Sequence, residues 1–424
     1  MTATERIGAA QVAAAAEVLA ELLRFEQPAD ALLSRFFRDR HSGQRDRAFI
    51  AETVYAVLRR RRLLERLAAA PAGATPRQLV LLALSRLRGM SQRQLEPALR
   101  GGEAEWLGAL RGTGEPELTA AERLDFPDWL AARLAARMPA DELLALARGL
   151  NEAAPLDLRA NPLKATREEV QARLAASGIA AEATPWSPLG LRLKGKPALQ
   201  KHPAYLDGSF QVQDEGSQLL GYLVAPRRGE MVVDFCAGAG GKTLLLGALM
   251  RSTGRLYAFD VSDRRLARLK PRAARAGLSN VHPVCIAGEN DARVKRLAGK
   301  VDRVLVDAPC SGLGTLRRNP DLKWRQTPQS VDELTAKQTA ILAAAARLPR
   351  PGGRLVYATC SLLAEENEAV VDAFLAAHPG FHRVPVREVL AAHGIALECG
   401  EDMRLLPHSH GTDGFYAAVL ERTA

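Results

Sequence analysis

Two cysteines, Cys310 in "LVDAPCSGLG" and Cys360 in "VYATCSLL", are the residues of this chain whose type and setting best suit chemistry. Each closes an apolar run of strand character and is followed by serine and a turn rather than by more core. Free cysteines are mostly small buried hydrophobes, and the thiols of Cys236, Cys285 and Cys399 are read that way. Cys310 and Cys360 instead fall at the carboxyl ends of strands, where open α/β sheets bind their ligands. A thiolate is a nucleophile, but an ordinary cysteine pKa of about 8.5 means that it needs a positive field or a base to form near pH 7.

A third motif leads to the same edge. "DFCAGAGGKT", Asp234 to Thr243, stops one residue short of a phosphate-binding loop: Gly241, Lys242 and Thr243 fit, but Cys236 stands where the first glycine belongs. Residues 238 to 243 also miss the dinucleotide pattern G-x-G-x-x-G, because the last position is Thr243. Gly238, Gly240 and Gly241 still let backbone approach a ligand without a Cβ clash. The next strand ends "LYAFDVS", placing Asp260 where a carboxylate can accept from both hydroxyls of a ribose. Asp291, in "GENDAR" after the third strand, could accept from an adenine amine, although strand-end aspartates are often helix caps. Together these fit S-adenosyl-L-methionine, which has no phosphates, better than a dinucleotide.

The elements that must position these residues alternate strand, glycine-rich turn and helix from Phe210 onward: "EMVVDFCAGAGG", "GRLYAFDVS", "NVHPVCIAG", "VDRVLVDAPC" and "GGRLVYATCS". That rhythm predicts parallel strands with helices on both faces, over residues 210–424. Residues 116–209 read as a small α+β module, with a helix in "FPDWLAARLAARM", a strand in "LDLRANPL", a helix in "REEVQARLAASG" and strand-like pieces such as "GLRLKG". Residues 1–115 read as a helical domain that ends in a breaker-rich linker, "RGGEAEWLGALRGTGEPE". Its arginine runs, "SRFFRDRHSGQRDRAF" and "LRRRRLLERL", are solvated helix faces or an RNA-facing surface.

Composition bounds the rest. At 424 residues and 47% hydrophobic, the chain can bury more than one core, and 58 Lys plus Arg against 48 Asp plus Glu give +10, which favours a polyanionic partner. Five cysteines, an odd number with no C-x-x-C pair, argue against a disulfide framework or zinc ribbon and for a reducing compartment. "GAAQVAAAAEVLAELL" is interrupted by Glu17 and Glu21, so neither a signal peptide nor a membrane span is expected, nor a metal; a cytoplasmic monomer is.

The thiols then decide among methyl acceptors. An amine needs only orientation and desolvation, and amine methyltransferases carry Asn/Asp-Pro-Pro-aromatic where this chain has "DAPC". Carbon 5 of a pyrimidine is a poor nucleophile, and a thiolate adding at carbon 6 turns the ring into an enamine that can attack. With "DAPCSG", "ATCS", "NPLK" at Asn161 and "DGFYAAVLER", the chain resembles the Nol/Nop/Sun RNA 5-methylcytosine methyltransferases, and within them the bacterial ribosomal RNA methyltransferase B group, over almost its whole length. The resemblance implies a Rossmann-like methyltransferase domain preceded by a NusB-like helical domain and a small RNA-binding subdomain containing "RANPLKATR", with Arg159, Asn161, Lys164 and Arg167 toward RNA. It implies Cys360 as nucleophile, Cys310 assisting product release, and Asp307 on the cytosine ring. Cys236, Ala237, Gly238, Ala239, Gly240, Gly241, Lys242, Asp260, Asp291 and Asp307 would line the cofactor pocket, Ala239 replacing the family's usual proline. The alternatives are a DNA cytosine methyltransferase using Cys310 and an inactive RNA-binding assembly factor.

Overall fold

A computed structural model of the chain describes residues 7–68, 73–112 and 116–423. It divides into two compact units, Met1–Ala153 with Thr315–Pro328, and Ala154–Gly314 with Gln329–Ala424. The division falls inside the segment read as a small α+β module, and Thr315–Pro328, a few residues after Cys310, belongs to the first unit.

The first unit is helical. Helices Ala9–Leu22, Gln44–Arg59 and Pro76–Leu82 turn Val12, Leu19, Val54, Leu58, Leu79 and Leu81 into one core. Residues 103–112, expected to be linker, form a helix instead: Glu103 starts it, and Leu107 is buried against that core. Glycines marked this stretch as broken, yet Gly101 and Gly102 lie ahead of the helix and Gly108 stands where a Cβ would meet nothing. Residues 113–115 lie outside the described residues.

The inserted segment Thr315–Pro328 closes the end of helix Gln44–Arg59, whose last carbonyls have no partner within the helix. The Trp324 indole donates to the Leu58 carbonyl at 2.8 Å, and the Lys323 ammonium donates to that of Arg59 at 2.8 Å and to Asn151 Oδ1 at 2.9 Å. A cation there also complements the helix dipole. Burial pushes Lys323 down to about 7. The arginines of "LRRRRLLERL" are committed in the same way. Arg59 donates to the Arg317 carbonyl, Arg60 pairs with buried Asp125, Arg61 with Glu65, and Arg62 with Asp128 and the Phe126 carbonyl. Arg59 and Arg60 are thus tied to the Arg317 carbonyl and buried Asp125, while Arg61 and Arg62 pair with partly exposed carboxylates as a solvated face would.

The second unit holds two sheets. The small one runs β2-β3-β1-β4, all antiparallel, from β1 (Leu156–Ala160), β2 (Ala181–Ala183), β3 (Gly190–Leu193) and β4 (Phe210–Val212). Helix α1 (Arg167–Ala176) opens with a capping box: Thr166 Oγ accepts from the Glu169 N–H, and the Glu169 carboxylate accepts from the Thr166 N–H. Its Val170 and Leu174 pack with Leu158, Leu191 and Phe210 of the sheet.

The large sheet runs β10-β12-β9-β8-β5-β6-β7, with β11 paired to β12. Its strands are β5 (Met231–Asp234), β6 (Arg255–Asp260), β7 (Val281–Cys285), β8 (Val301–Asp307), β9 (Pro349–Thr359), β10 (Phe381–Val384), β11 (Met403–Leu405) and β12 (Phe415–Arg422). The five strands from β5 to β9 are parallel, as their apolar runs predict for strands covered on both faces. β7 carries Pro283, which lacks an N–H for the ladder and is tolerated because β7 is an edge. Beyond these five strands, β12 inserts between β9 and β10 antiparallel to both. "FYAAVL" is apolar throughout, so its pattern fixes burial but not direction.

Candidate active site

The parallel order reverses between β5 and β8, and a crevice opens at such a switch point beyond the carboxyl ends of the strands. β5 delivers Asp234 and the glycine turn to it. Gly240, the residue before helix α2 (Gly241–Leu249), has φ +85°, and a Cβ there would lie 2.2 Å from Leu269 Cδ1, so only glycine fits. The turn is tied down from below: the Ala237 N–H donates to the Phe259 carbonyl at 2.8 Å, and Arg272 donates to the Ala239 carbonyl at 2.6 Å. At Gly238 a Cβ would meet nothing within 4 Å, so the turn is open on that side.

Asp260 ends β6 and is 4% exposed. One carboxylate oxygen accepts from the Gly238 N–H at 2.8 Å; the other accepts from the Ser262 N–H at 2.7 Å and pairs with Arg265 at 2.9 Å. Arg265 is half-exposed on helix α3 (Asp263–Ala276). A strand-end acid fixed to an open glycine turn is the donor and acceptor set that a ribosyl ligand requires.

Lys242, in the first turn of α2, donates to Asp307 Oδ2 at the end of β8, 2.6 Å away. Burial works against the ammonium, but Asp307 outweighs it and the pKa is raised, with Cys360 acting in the same direction. Lys242 therefore keeps its charge. Beneath it, Asp234 is 1% exposed, accepts from the Thr243 hydroxyl at 2.7 Å, and is pushed by burial up to about 7.

β8 and β9 are parallel neighbours with Asp307 opposite Ala358, so the chains that leave them emerge side by side. Cys310 and Cys360 follow, with their sulfurs 3.4 Å apart and both thiols partly exposed. Hydrogen bonding to Cys360, reinforced by burial, raises the Cys310 thiol well above its ordinary range, so Cys310 holds its proton.

Other expected site residues lie differently. Asp291 is drawn into its own turn: it caps helix Ala292–Lys295, accepting from the Arg293 N–H at 2.8 Å, the Ala287 N–H at 2.9 Å and the Arg293 guanidinium at 2.7 and 2.9 Å. These bonds, the guanidinium's first, hold its carboxyl well below the usual range. Arg159 and Asn161 are corrections. Both are buried, at 2% and 4% exposure, and cannot face RNA as expected. Arg159 bonds Gln213 and the Gly241 carbonyl, and burial pulls it down to about 9. Asn161 donates to the carbonyls of Gly208 and Ala276. They brace the small sheet against α2, which follows the glycine turn, and α3. Lys164 is exposed, and Arg167 is half-buried and paired with Glu168.

Nothing local in the sequence signals Glu366, which is fully buried and bonded to the serines that follow both thiols. "EEN" after "CSLLA" reads as the acidic start of a helix, and only the fold shows which glutamate turns inward. The exposed cations Arg264, Arg268 and Lys270 on α3 were likewise unremarked. Among the described residues no cluster of His, Cys, Asp or Glu suits a metal ion, and no helix is long and apolar enough to cross a membrane.

Fold and crevice define a Rossmann-like methyltransferase. The chain belongs to the ribosomal RNA small subunit methyltransferase B family, and its methyl donor is S-adenosyl-L-methionine. Residues 221–421 match the family described as 16S rRNA methyltransferase RsmB/F, and residues 126–200 the RsmF/B-like ferredoxin-like domain. The chain is 34% identical to a "Probable ribosomal RNA small subunit methyltransferase B" of Synechocystis sp., over 96% of this chain and 98% of that one. It is 32% identical to the ribosomal RNA small subunit methyltransferase B of Sodalis glossinidius, over 96% and 97%. Among solved structures, a methyltransferase homolog protein from Pyrococcus horikoshii superposes with a TM-score of 0.62 at 27% identity, covering 72% of this chain and 97% of that one.

Proposed function

We propose that the protein methylates carbon 5 of a cytosine in ribosomal RNA, with Cys360 as nucleophile. The observation that carries this reading is the pair of sulfurs 3.4 Å apart at the ends of adjacent parallel strands. Two thiols at the mouth of the crevice answer the demands of a carbon acceptor and have no task with an amine. Bound S-adenosylmethionine supplies the electrophilic methyl, held by the turn Cys236–Lys242, with Asp260 toward its ribose; Asp291, whose oxygens are taken up by its own turn, is left out of this assignment.

The chain's own groups divide the work. The Lys242 ammonium, which interacts electrostatically with Cys360, places a positive charge close to the nucleophile. The Cys360 thiolate adds to carbon 6 of the cytosine, and the C5=C6 electron pair becomes available at carbon 5 for methylation. Asp307 orients the ring. A water held beside Cys310 then takes the carbon 5 proton as base; the C5=C6 bond re-forms and the carbon–sulfur bond breaks, returning its pair to Cys360.

Bisulfite mapping of small-subunit ribosomal RNA from cells with and without the gene should show one or more cytosines protected only when the gene is present. An identical map in both would sink the reading. Lys164 and Arg167 are the retained RNA contacts of the small sheet. Their double alanine variant should weaken RNA binding and lower the slope of log affinity against log salt by about 1–2, one unit per phosphate contact. Titrations at several salt concentrations check this, and an unchanged slope returns the loop to a structural role.

A further inference from the structure

We propose that Glu366 is a positioning residue that sets the separation of Cys310 and Cys360. It is 0% exposed and lies just after β9, at the end of the short helix Ala364–Glu366. One carboxylate oxygen accepts from the Ser311 N–H at 2.8 Å and from the Gln338 side chain at 2.9 Å. The other accepts from the hydroxyls of Ser311 and Ser361. Ser311 and Ser361 are the residues that follow the two thiols in sequence. Their hydroxyls lie 3.2 Å apart, and Gln338 also holds the carbonyl of Pro309, the residue before Cys310. One side chain thus fastens both cysteine loops at the positions next to sulfur.

The loops have a second contact on the far side. The Gly314 N–H donates to the Cys360 carbonyl at 2.8 Å, and a Cβ at Gly314 would stand 2.2 Å from the Gly414 carbonyl oxygen. Between these ties the sulfurs have little freedom. The Tyr357 hydroxyl, bonded to the Glu366 carbonyl at 2.6 Å, fixes the glutamate's own backbone. All four donors to the carboxylate are neutral, and hydroxyls can reverse their role while a backbone N–H cannot. A glutamine at 366 can therefore keep the bridge: its carbonyl oxygen accepts from the Ser311 N–H and Gln338, and its amide donates to the two serines. Alanine removes the bridge entirely.

The geometric claim stands independently of the chemistry proposed for the thiols; its effect on turnover rests on that chemistry. Phenylarsine oxide measures the geometry, because trivalent arsenic is bridged by two thiols that are already neighbours, with loss of one water and no change in oxidation state of sulfur. In the full-length protein, Glu366→Ala should bind phenylarsine oxide about tenfold more weakly than the wild type, whereas Glu366→Gln stays within about threefold. Turnover should follow the same order, kcat falling for alanine while KM for RNA holds, because Glu366 touches no substrate. Arsenical affinity and kcat unchanged in a folded Glu366→Ala variant would overturn the proposal. A glutamine variant as impaired as alanine would overturn it too, pointing to charge rather than bridging. If Glu366→Ala does not fold, the Ser311→Ala, Ser361→Ala double variant removes two arms of the bridge; it should weaken arsenical binding in the same direction, and unchanged binding counts against the bridge. An arsenical ranking as expected in a protein that never methylates cytosine would leave the positioning intact and reject the function.

Discussion

Cys360→Ala is expected to abolish methyl transfer and to leave no covalent RNA complex, while Cys310→Ala forms that complex and fails to release it. The asymmetry follows from order of action. The ring must be activated before carbon 5 can attack, so loss of the nucleophile blocks every later step; removing the group that assists departure blocks only the last. Loss of a covalent nucleophile should lower kcat by at least about 10⁴-fold, the scale of the effect when a residue acting as part of a unit is deleted. Each variant is incubated with cytosine-containing RNA and S-adenosylmethionine and run on a denaturing gel, where only a covalent complex survives. The reverse pattern would make Cys310 the nucleophile and support a DNA-type mechanism. No complex with either variant, and no methylation by the unmodified protein, would favour an assembly factor.

What could be read from the sequence was set by distance along the chain. Strand ends were legible because a parallel strand covered on both faces is an unbroken apolar run, and Asp234, Asp260, Asp307, Cys310 and Cys360 stand where such runs stop. Residue type alone does not reveal burial when the partner is remote. Arg159 meets the Gly241 carbonyl 82 residues away, and Asn161 meets the Ala276 carbonyl 115 residues away. Nothing local distinguishes such an arginine from one that faces RNA. The run Arg59 to Arg62 was ambiguous for the same reason: its use depends on Asp125, Asp128 and an inserted segment more than 250 residues on. Glu366 is the clearest case, because its partners Ser311 and Gln338 come from another strand end and another helix. The direction of β12 is not legible in the sequence, because an apolar run has no direction.

Asp260→Ala is expected to weaken S-adenosylmethionine binding by about tenfold to a hundredfold while leaving RNA affinity at its wild-type value. Losing a charged hydrogen-bond acceptor costs roughly 1.5–3 kcal/mol, which converts to that range. The structure adds a reason for the upper end. Asp260 also accepts from the Gly238 and Ser262 N–H groups, so alanine frees two backbone donors in a buried setting and unfastens the glycine turn in addition to removing the acceptor proposed for ribose. Asp260→Asn separates the contributions: its carbonyl oxygen can keep one of the two backbone bonds, but its amide cannot accept from the other donor or from ribose. Asparagine should therefore fall between wild type and alanine in cofactor affinity. Calorimetry with S-adenosylmethionine and filter binding with RNA give the two affinities, and unchanged cofactor binding in Asp260→Ala would remove Asp260 from the cofactor site. Equal losses for both ligands would instead mean that the turn supports the whole carboxyl edge of the sheet, since the basic side chains proposed for RNA, Lys164 and Arg167, have no hydrogen bond to Asp260 and should not sense its removal.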